Sequence, residues 1–241
     1  MIGATDKAVL QFSGGKDSLA CLYLLRPHWK RLTVAWVNTG AAYPETVALM
    51  DRVRAMVPDF LEVKSDQPSN IAKYGPPADI VPVPNSPEGR ALTQSDAEPI
   101  QSHLQCCNAN VWWPMQCAMQ ERGATLIIRG KKLADGRKSA VRSGEVRDGV
   151  RYWFPLEDWT EDDVRAYLIE QRVELPAHYA YTKTSLDCWS CTAYTDENAG
   201  RIKYMRDYQP ELWAKWKPNM QRILRASNAQ LAQMSAALGG E

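Results

Sequence analysis

The sequence contains no apolar run that approaches the roughly 20 residues needed for a membrane helix, so no membrane-spanning segment is predicted. Its start, Met1 to Lys7, lacks the charged region and apolar stretch of a secretory signal. An excess of charge is missing as well, because 29 Lys and Arg stand against 28 Asp and Glu. Overall charge therefore does not favour nucleic acid or a membrane surface as a partner. These absences predict a cytoplasmic protein without a membrane partner.

Histidine is also scarce, and its spacing is not typical of a metal or catalytic site. The three histidines are His28, His103 and His178.

Six cysteines occur, although a cytosolic protein of this size rarely uses them for disulfides. Four of them form two tight pairs, Cys106-Cys107 and Cys188-x-x-Cys191, which makes metal ligation the first interpretation. Tetrahedral thiolate ligation indicates zinc or an iron–sulfur cluster, and adjacent cysteines are unusual for structural zinc. Buried free thiols are the remaining alternative.

Strands and helices alternate along most of the chain. The predicted strands cover residues 8–12, 32–37, 60–63, 125–129 and 152–156. Helices are predicted at residues 18–25, 44–56 and 106–122, after a Thr160 cap, and from Asn198 onward. This alternation predicts an α/β fold with a doubly wound, mostly parallel sheet. A nucleotide-binding domain is expected over residues 1–192 and a helical tail over residues 193–241.

Residues 66–103 break this alternation. Seven prolines crowd the segment and no sustained periodicity survives. We interpret it as a long irregular insertion, for which a lid over the functional site and a mobile surface loop are the two alternatives.

A glycine-containing loop follows the first predicted strand and opens the first helix. Its residues are Ser13, Gly14, Gly15, Lys16, Asp17 and Ser18. Consecutive glycines let the backbone approach a phosphate, and the helix N-terminus presents N–H donors to it. The spacing of a Walker A loop is absent. The loop nevertheless predicts a phosphate site, in which Lys16 supplies charge and Asp17 caps the helix or helps to hold a phosphate-bound metal such as Mg²⁺.

A basic segment follows the strand predicted at residues 125–129. Its basic residues are Arg129, Lys131, Lys132, Arg137, Lys138, Arg142, Arg147 and Arg151. Open α/β sheets bind ligands beyond the carboxyl ends of their strands, and arginines there grip anions bidentately. The alternative interpretation is a solvated charged loop.

The Ser13–Ser18 loop resembles that of the PP-loop ATP pyrophosphatases and, among them, of the PAPS/APS reductase family. Asn38-Thr39-Gly40 followed by Pro44-Glu45-Thr46 is similar to that family's Asp-Thr-Gly and Pro-Glu-Thr motifs near the base and ribose. Residues 154–164 resemble its Pro-Leu-x-x-Trp-x-x-x-Asp-Val segment. Arg129-Gly130 and Arg142 resemble its anion-binding segment, although Lys131 and Lys132 replace the usual arginine.

The resemblance, which covers roughly residues 8 to 192, implies a nucleotide-binding fold and a set of site residues. The implied nucleotide-binding residues are Ser13, Gly14, Gly15, Lys16, Asp17, Ser18, Asn38, Thr39, Gly40, Glu45, Arg129, Gly130 and Arg142, with Lys16 and Asp17 as the catalytic pair. The nucleotide is ATP, APS or PAPS. The cysteines resemble the family's pattern for a [4Fe–4S] cluster on Cys106, Cys107, Cys188 and Cys191, with zinc as the alternative. The family often carries a lysine where this chain has Val111, so electrostatic tuning of the cluster is expected to differ.

The reductases of this family use a C-terminal cysteine as the nucleophile, whereas this sequence has no cysteine after Cys191. The leading expectation is therefore a PP-loop enzyme of nucleotidyl or sulfur transfer, with pyrophosphate as the leaving group when the nucleotide is ATP. A sulfonucleotide reductase that takes its nucleophile from elsewhere is the second hypothesis. A non-catalytic nucleotide-binding subunit is the third.

The partners expected besides the nucleotide are a redox or sulfur-carrier protein and a second copy of the chain. Basic and aromatic residues interleave beyond residue 200, as in proteins that bind polynucleotides. Packing of these aromatics onto the core is the favoured interpretation, so nucleic acid remains a secondary expectation.

Overall fold

The computed structural model describes residues 2–3, 6–135, 139–186 and 188–239. Arg137 and Lys138 of the predicted basic segment lie outside this described part. The chain forms two compact units, each made of separate stretches of sequence. The first unit contains Met1–Asn38, Tyr43–Lys64 and Pro114–Leu186, and the second contains Thr39–Ala42, Ser65–Trp113 and Asp187–Glu241.

The first unit is built on a mostly parallel sheet. Its strands are β1 (Ala8–Gln11), β2 (Leu32–Asn38), β3 (Asp59–Lys64), β6 (Leu126–Ile128), β7 (Val146–Arg147) and β8 (Val150–Trp153). The strand order is β3-β2-β1-β6-β8-β7, and only the β7–β8 pair of this sheet is antiparallel. The predicted α/β sheet is thereby confirmed. Strands β2 and β3 lie on one side of β1, and β6 lies on its other side. The strand order therefore reverses between β1 and β6.

Helices cover this sheet. They are α1 (Lys16–Leu24), α2 (Pro44–Met56), α6 (Trp113–Glu121), whose first residue belongs to the second unit, and α7 (Glu161–Glu170). Val9, Ala35 and Ile127 point into one core cluster with Met119 and Phe154. Proline at the first turn of α2 and a capping box between Thr160 and Asp163 at α7 start these helices as predicted.

The second unit contains the proline-rich segment. This segment was predicted to be irregular, but it forms short helices and strands. It forms α3 (Gln67–Tyr74), β4 (Pro77–Ala78), α4 (Pro87–Thr93), β5 (Gln101–Ser102) and α5 (His103–Cys107). Prolines occupy the first turn of both α3 and α4, where a missing N–H costs nothing, and Asp66 and Ser86 cap these helices. The same prolines that suppress periodicity therefore start helices here.

The end of the chain belongs to this second unit and is helical, as expected. It consists of α8 (Ala199–Tyr208) and the long α9 (Pro210–Ala237). Ile223 of α9 packs with Ala78 and Ile100 in a small core. Tyr204 and Trp216 are buried, which favours packing over base stacking for these two rings. No helix in the described part of the chain is long and apolar enough to cross a membrane.

Candidate functional site

The strand order places the glycine loop and Gly130 together. The loop follows β1 and Gly130 follows β6, so both leave the carboxyl ends of adjacent parallel strands at the point where the order reverses. Open α/β sheets bind ligands at this position. A Cβ atom on Gly130 would lie 2.7 Å from the carbonyl carbon of Asp17 and 2.8 Å from the nitrogen of Ser18. Glycine is therefore required at position 130 because the backbone passes directly against the first turn of α1.

The glycine loop is held by its own hydroxyl groups. Gly14 has a φ of +80°, which favours glycine. The nitrogen of Gly15 donates to Ser13 Oγ at 3.3 Å, and Ser18 Oγ donates to the Gly15 carbonyl at 2.8 Å. These bonds fix the turn in which Gly15 precedes the first residue of α1. The N-terminus of α1 thus faces out of the turn with its partial positive charge.

Two buried lysines stand beside this helix end. The side chains of Lys16 and Lys132 are each 4% exposed. The Lys16 ammonium lies 2.9 Å from both Asp17 Oδ2 and Glu161 Oε2. The Lys132 ammonium contacts Asp17 Oδ1 and lies 3.4 Å from Asp135 Oδ1. Asp17 therefore bridges the two lysines. This structural role differs from the two predicted for it, which were helix capping and help in binding a metal.

Neighbouring charges keep Lys132 and Glu161 ionised. Burial alone would lower the pKa of the Lys132 ammonium, but hydrogen bonds and charges from Asp17 and Asp135 hold that pKa above its ordinary value. Burial opposes ionisation of Glu161 too, yet the Lys16 ammonium and the charge of Lys132 keep its pKa below the usual range. The site therefore carries fixed positive and negative charges at neutral pH.

Segment 176–186 supplies a further contact to the loop. The Lys16 backbone nitrogen donates to the Tyr179 hydroxyl at 2.7 Å, and the Lys16 ammonium lies 6.0 Å from the centre of the Tyr179 ring. A Cβ atom on Gly15 would lie 3.0 Å from Ser185 Cβ. Neither Tyr179 nor Ser185 had a predicted role, since more than 160 residues separate them from the loop.

A pocket opens beside the loop in the first unit. It is lined by Ser13 and Gly14 of the loop, Glu45 and Thr46 of α2, and His178 and Ser185 of segment 176–186. Burial lowers the pKa of His178 to about 4, against the opposing effect of the Glu45 carboxylate. The imidazole is therefore neutral at physiological pH. His178 had no predicted role, whereas Glu45 lines this pocket as a predicted nucleotide-binding residue.

The other predicted nucleotide residues are placed less uniformly. Arg129 Nε donates to Gln11 Oε1 at 2.7 Å, and burial lowers the pKa of this guanidinium. Asn38 Nδ2 donates to Glu62 Oε1 at 2.7 Å in the same unit. Arg142 is exposed, and its backbone nitrogen donates to Glu145. Thr39 and Gly40 belong to the second unit.

All four paired cysteines lie in the second unit. Cys106 and Cys191 are buried, and Cys107 and Cys188 are partly exposed. Burial raises the pKa of the Cys106 thiol; a hydrogen bond from Gln67 opposes this effect, and the charge of Cys191 adds to it. Gln67 links the two pairs, which are 81 positions apart at their closest, because it donates to Cys106 Sγ and accepts from the Ser190 hydroxyl between Cys188 and Cys191. Among the described residues, no group of three or more His, Cys, Asp or Glu side chains is arranged to hold a metal ion.

Polar groups surround the cysteine sulfurs. Gln67 Nε2 donates to Cys106 Sγ at 3.3 Å, and Gln67 is itself fixed by the Ser190 hydroxyl at 2.6 Å. Thr39 Oγ1 lies 3.2 Å from Cys188 Sγ. Hydrogen bonds to sulfur stabilise thiolate ligands. Polar groups suited to thiolate ligands are thus present at two of the four sulfurs, although the described side chains are not arranged as a metal site.

An arginine is buried against the Cys188–Cys191 turn. Arg201 is 1% exposed, and its guanidinium donates to the carbonyl oxygens of Cys188 and Cys191 at 3.3 and 3.2 Å. Trp216 Nε1 donates to the Cys191 carbonyl at 2.8 Å. Both residues come from the helical tail, where basic and aromatic residues had been noted only as a pattern. Of the two unpaired cysteines, Cys21 is fully buried in α1 and Cys117 is partly exposed in α6.

Comparison with known proteins identifies one family. The model of the phosphoadenosine phosphosulfate reductase domain matches residues 7–194. An adenosine 5'-phosphosulfate reductase of Deinococcus radiodurans is 26% identical over 176 residues, which are 70% of this chain and 61% of that protein. A phosphoadenosine 5'-phosphosulfate reductase of Gloeobacter violaceus is 28% identical over 200 residues, 80% of this chain and 75% of the relative. The chain thus spans less than two thirds of the Deinococcus protein and three quarters of the Gloeobacter protein.

A relative with a different name also matches. Sulfate adenylyltransferase subunit 2 of Streptomyces lavendulae is 26% identical over 207 residues, 73% of this chain and 57% of that protein. Among solved structures, a phosphoadenylyl-sulfate reductase from Candida auris in a phosphate complex superposes with a TM-score of 0.53 at 20% identity. The match covers 77% of this chain and 83% of the Candida chain, and at this identity it shows a shared fold.

Proposed function

Because the chain belongs to the phosphoadenosine phosphosulfate reductase domain family, we propose that it is an enzyme that binds an adenine nucleotide, ATP or a sulfonucleotide, at the Ser13–Ser18 loop. The observation that carries this proposal is the N-terminus of α1 with the buried Lys16 and Lys132 beside it, where β1 and β6 part. Backbone N–H donors and two ammonium groups together suit an anionic ligand. Glu45 and neutral His178, which line the small pocket beside the loop, are the proposed neighbours of the nucleoside.

The charged residues have separate tasks in this proposal. Gly14 and Gly15 let a phosphate approach the backbone, and Lys16 and Lys132 compensate its charge. Asp17 and Glu161 hold the two ammonium groups in place, so that they need no rearrangement when the ligand arrives. Asp17 thus acts through the lysines. Arg129 and Arg142 extend the positive side of the site, and Gly130 lets the backbone after β6 pass against the first turn of α1. Asn38, Thr39 and Gly40 remain proposed contacts to the base and ribose.

With ATP, the chemistry is nucleotidyl transfer. An acceptor oxygen attacks the α-phosphorus, the bond between the α-phosphorus and the bridging oxygen breaks, and pyrophosphate leaves with the electron pair. Gly14, Gly15 and the Lys16 ammonium stabilise the charge that develops on the leaving group. The Streptomyces relative, which bears the name of an adenylyltransferase subunit, supports this class of reaction.

A [4Fe–4S] cluster on Cys106, Cys107, Cys188 and Cys191 is the second part of the proposal, with zinc as the competing metal. The hydrogen bonds from Gln67 and the buried Arg201 support an anionic centre at this place. When bound, the cluster would supply a redox-active and electrostatically negative group. The chain's own residues hold the ligand turn and hydrogen-bond the sulfurs.

Sulfonucleotide reduction is the second candidate function, favoured by the names of the Deinococcus and Gloeobacter relatives. In that reaction a thiolate attacks the sulfur, the bond between sulfur and the phosphate oxygen breaks, and the nucleotide leaves. A dithiol reductant then releases sulfite. Such a nucleophile must be an accessible thiolate. Burial strongly raises the pKa of the Cys21 thiol, and the partly exposed Cys117 does not line the pocket beside the loop, so we expect the nucleophile to come from outside this sequence.

A product assay separates the two candidates. We expect the 241-residue chain, purified without oxygen, to bind APS but to release no sulfite with excess thioredoxin, and to gain no sulfite mass. The physical reason is that the paired cysteines are occupied, Cys21 is buried, and Cys117 does not line the pocket beside the loop. Sulfite production that disappears in Cys117→Ser would contradict this expectation and would establish the reductase reaction.

Metal content tests the cysteine site. We expect protein purified without oxygen to be brown and to contain about four irons per chain. Cys188→Ser or Cys191→Ser should remove the colour, since each deletes one of four ligands, whereas Cys117→Ser in α6 should keep it. Iron analysis and the visible spectrum of the three variants provide the readout. Colourless wild-type protein with one zinc per chain would rule out the cluster.

A further inference from the structure

The first N–H of α1 already has a partner within the first unit. The Lys16 nitrogen donates to the Tyr179 hydroxyl oxygen at 2.7 Å. At a helix N-terminus, such an N–H is one of the donors that bind the oxygen atoms of an anion. The phenol oxygen therefore occupies a position that a phosphate oxygen would otherwise take.

Packing, rather than this hydrogen bond alone, holds the Tyr179 ring. The residue lies in a short 3₁₀ helix, Ala177–Ala180, which starts after Pro176. Its ring centre is 4.2 Å from that of His178, which is 4% exposed, and 6.0 Å from the Lys16 ammonium. Loss of the hydroxyl group alone would leave these ring contacts in place.

The surrounding charges act in the same direction. Asp17 and Glu161 each face the Lys16 ammonium, and Asp17 and Asp135 face the Lys132 ammonium. An anion that enters as far as the Lys16 nitrogen must displace the phenol and approach these carboxylates. An anion bound at the Ser13–Gly15 turn avoids both costs. A pyrophosphate group spans more N–H donors than a single phosphate and is therefore affected more.

We propose that Tyr179 determines the anion specificity of the loop. Its hydroxyl occupies the Lys16 N–H and so disfavours ligands that place a second phosphoryl group there, relative to ligands that present one phosphate. This inference rests on the proposed function, in which the Ser13–Ser18 loop binds the nucleotide. It adds a residue of segment 176–186 that selects among nucleotides through the length of their phosphate chain.

Tyr179→Phe tests this assignment because it removes the hydroxyl and keeps the ring. Binding of AMP, ATP, inorganic phosphate and pyrophosphate is measured by titration calorimetry on the full chain. We expect affinity for pyrophosphate and ATP to rise about threefold to tenfold, as for the loss of one competing hydrogen bond. Affinity for phosphate and AMP should change less than about twofold. Tyr23→Phe, the same substitution within α1, should leave all four affinities unchanged.

Other outcomes overturn the inference in distinguishable ways. Unchanged selectivity in Tyr179→Phe would show that the hydroxyl does not compete with ligand, and weaker pyrophosphate binding would make it a ligand contact instead. Tyr179→Leu, which also removes the ring, must shift selectivity in the same direction as Tyr179→Phe, and circular dichroism must show both variants folded. Failure of the wild-type chain to bind any of the adenine nucleotides would instead refute the proposed function, and the inference with it.

Discussion

Alanine in place of Gly75 should lower the free energy of unfolding by at least about 3 kcal/mol, near the upper end of single substitutions. Gly75 follows α3 with φ of 87° and ψ of 171°, a combination that is essentially restricted to glycine. A Cβ atom there would lie 1.8 Å from the carbonyl oxygen of Pro99 and 2.2 Å from its carbonyl carbon. Because these are backbone atoms, rotation of a side chain cannot relieve the overlap.

Movement of the Gly75 backbone would also break buried hydrogen bonds. The Gly75 carbonyl accepts from Gln101 Nε2 at 2.6 Å, and its nitrogen donates to the Ile71 carbonyl at 2.8 Å. Each lost bond leaves a polar group without its partner, which adds about 1–3 kcal/mol. Urea-induced unfolding followed by circular dichroism measures the effect.

Gly144→Ala is the matched control. Gly144 has a φ of +83°, close to that of Gly75, but a Cβ atom there has no described atom within 4 Å. Gly144→Ala should therefore lower the free energy of unfolding by about 1–2 kcal/mol, from the left-handed backbone alone. Equal destabilisation by the two substitutions would show that the close approach of Pro99 to Gly75 does not exist in solution.

The Gly75 contact also shows why the proline-rich segment was misjudged. Periodicity reports amphipathic elements, whereas this segment folds through capped short helices and polar contacts to distant residues. Gln101 fixes the Gly75 carbonyl, and Thr192 Oγ1 donates to the Pro77 carbonyl at 2.5 Å. A partner 115 positions away leaves no local trace in the sequence.

The first unit, in contrast, was largely predictable because its signals are local. A short apolar strand, two glycines and a helix start follow one another within residues 8–24. Thr160 and Asp163 stand at the spacing of a capping box and form it. Such patterns depend on neighbours a few positions apart, so chain topology does not need to be known.

The charged group around the loop could be predicted only in part. Lys16 and Asp17 belong to the glycine motif, and Lys132 was noted as a replacement for an arginine. Glu161, however, had no predicted role at this site. Its ion pair with Lys16 depends on the position of α7 against α1, which no local pattern encodes. Tyr179 was missed for the same reason.

Around the cysteines, the thiols were visible in the sequence and their supporting residues were not. Gln67, Asn110 and Arg201 carry no motif, and their roles follow from being buried against the cysteines. A buried arginine in α8 was indistinguishable in sequence from the exposed basic residues of the same helix. Burial of a charge is a property of the fold, and it marks Arg201 as part of the cysteine site.

Valine in place of Gly15 should weaken the binding of adenine nucleotides at least about tenfold, or roughly 1.4 kcal/mol. Even the first carbon of a side chain at this position would lie 3.0 Å from Ser185 Cβ and 3.4 Å from Ser13 Oγ. The two methyl groups of valine would extend further, at the helix end that an anion must approach. The fold should survive, because α1 keeps its hydrogen bonds and Gly15 has an extended backbone with φ of –72°.

Titration of ATP and APS into wild-type protein and Gly15→Val, under anaerobic conditions and with adenosine as the ligand without phosphate, tests the site at the loop most directly. We predict that both nucleotides bind the wild type more tightly than adenosine does. In Gly15→Val, most of this difference in affinity should be lost, while the unfolding curve stays close to that of the wild type. Equal affinity of the two proteins for every adenine nucleotide would contradict this prediction and remove the Ser13–Ser18 loop from the site.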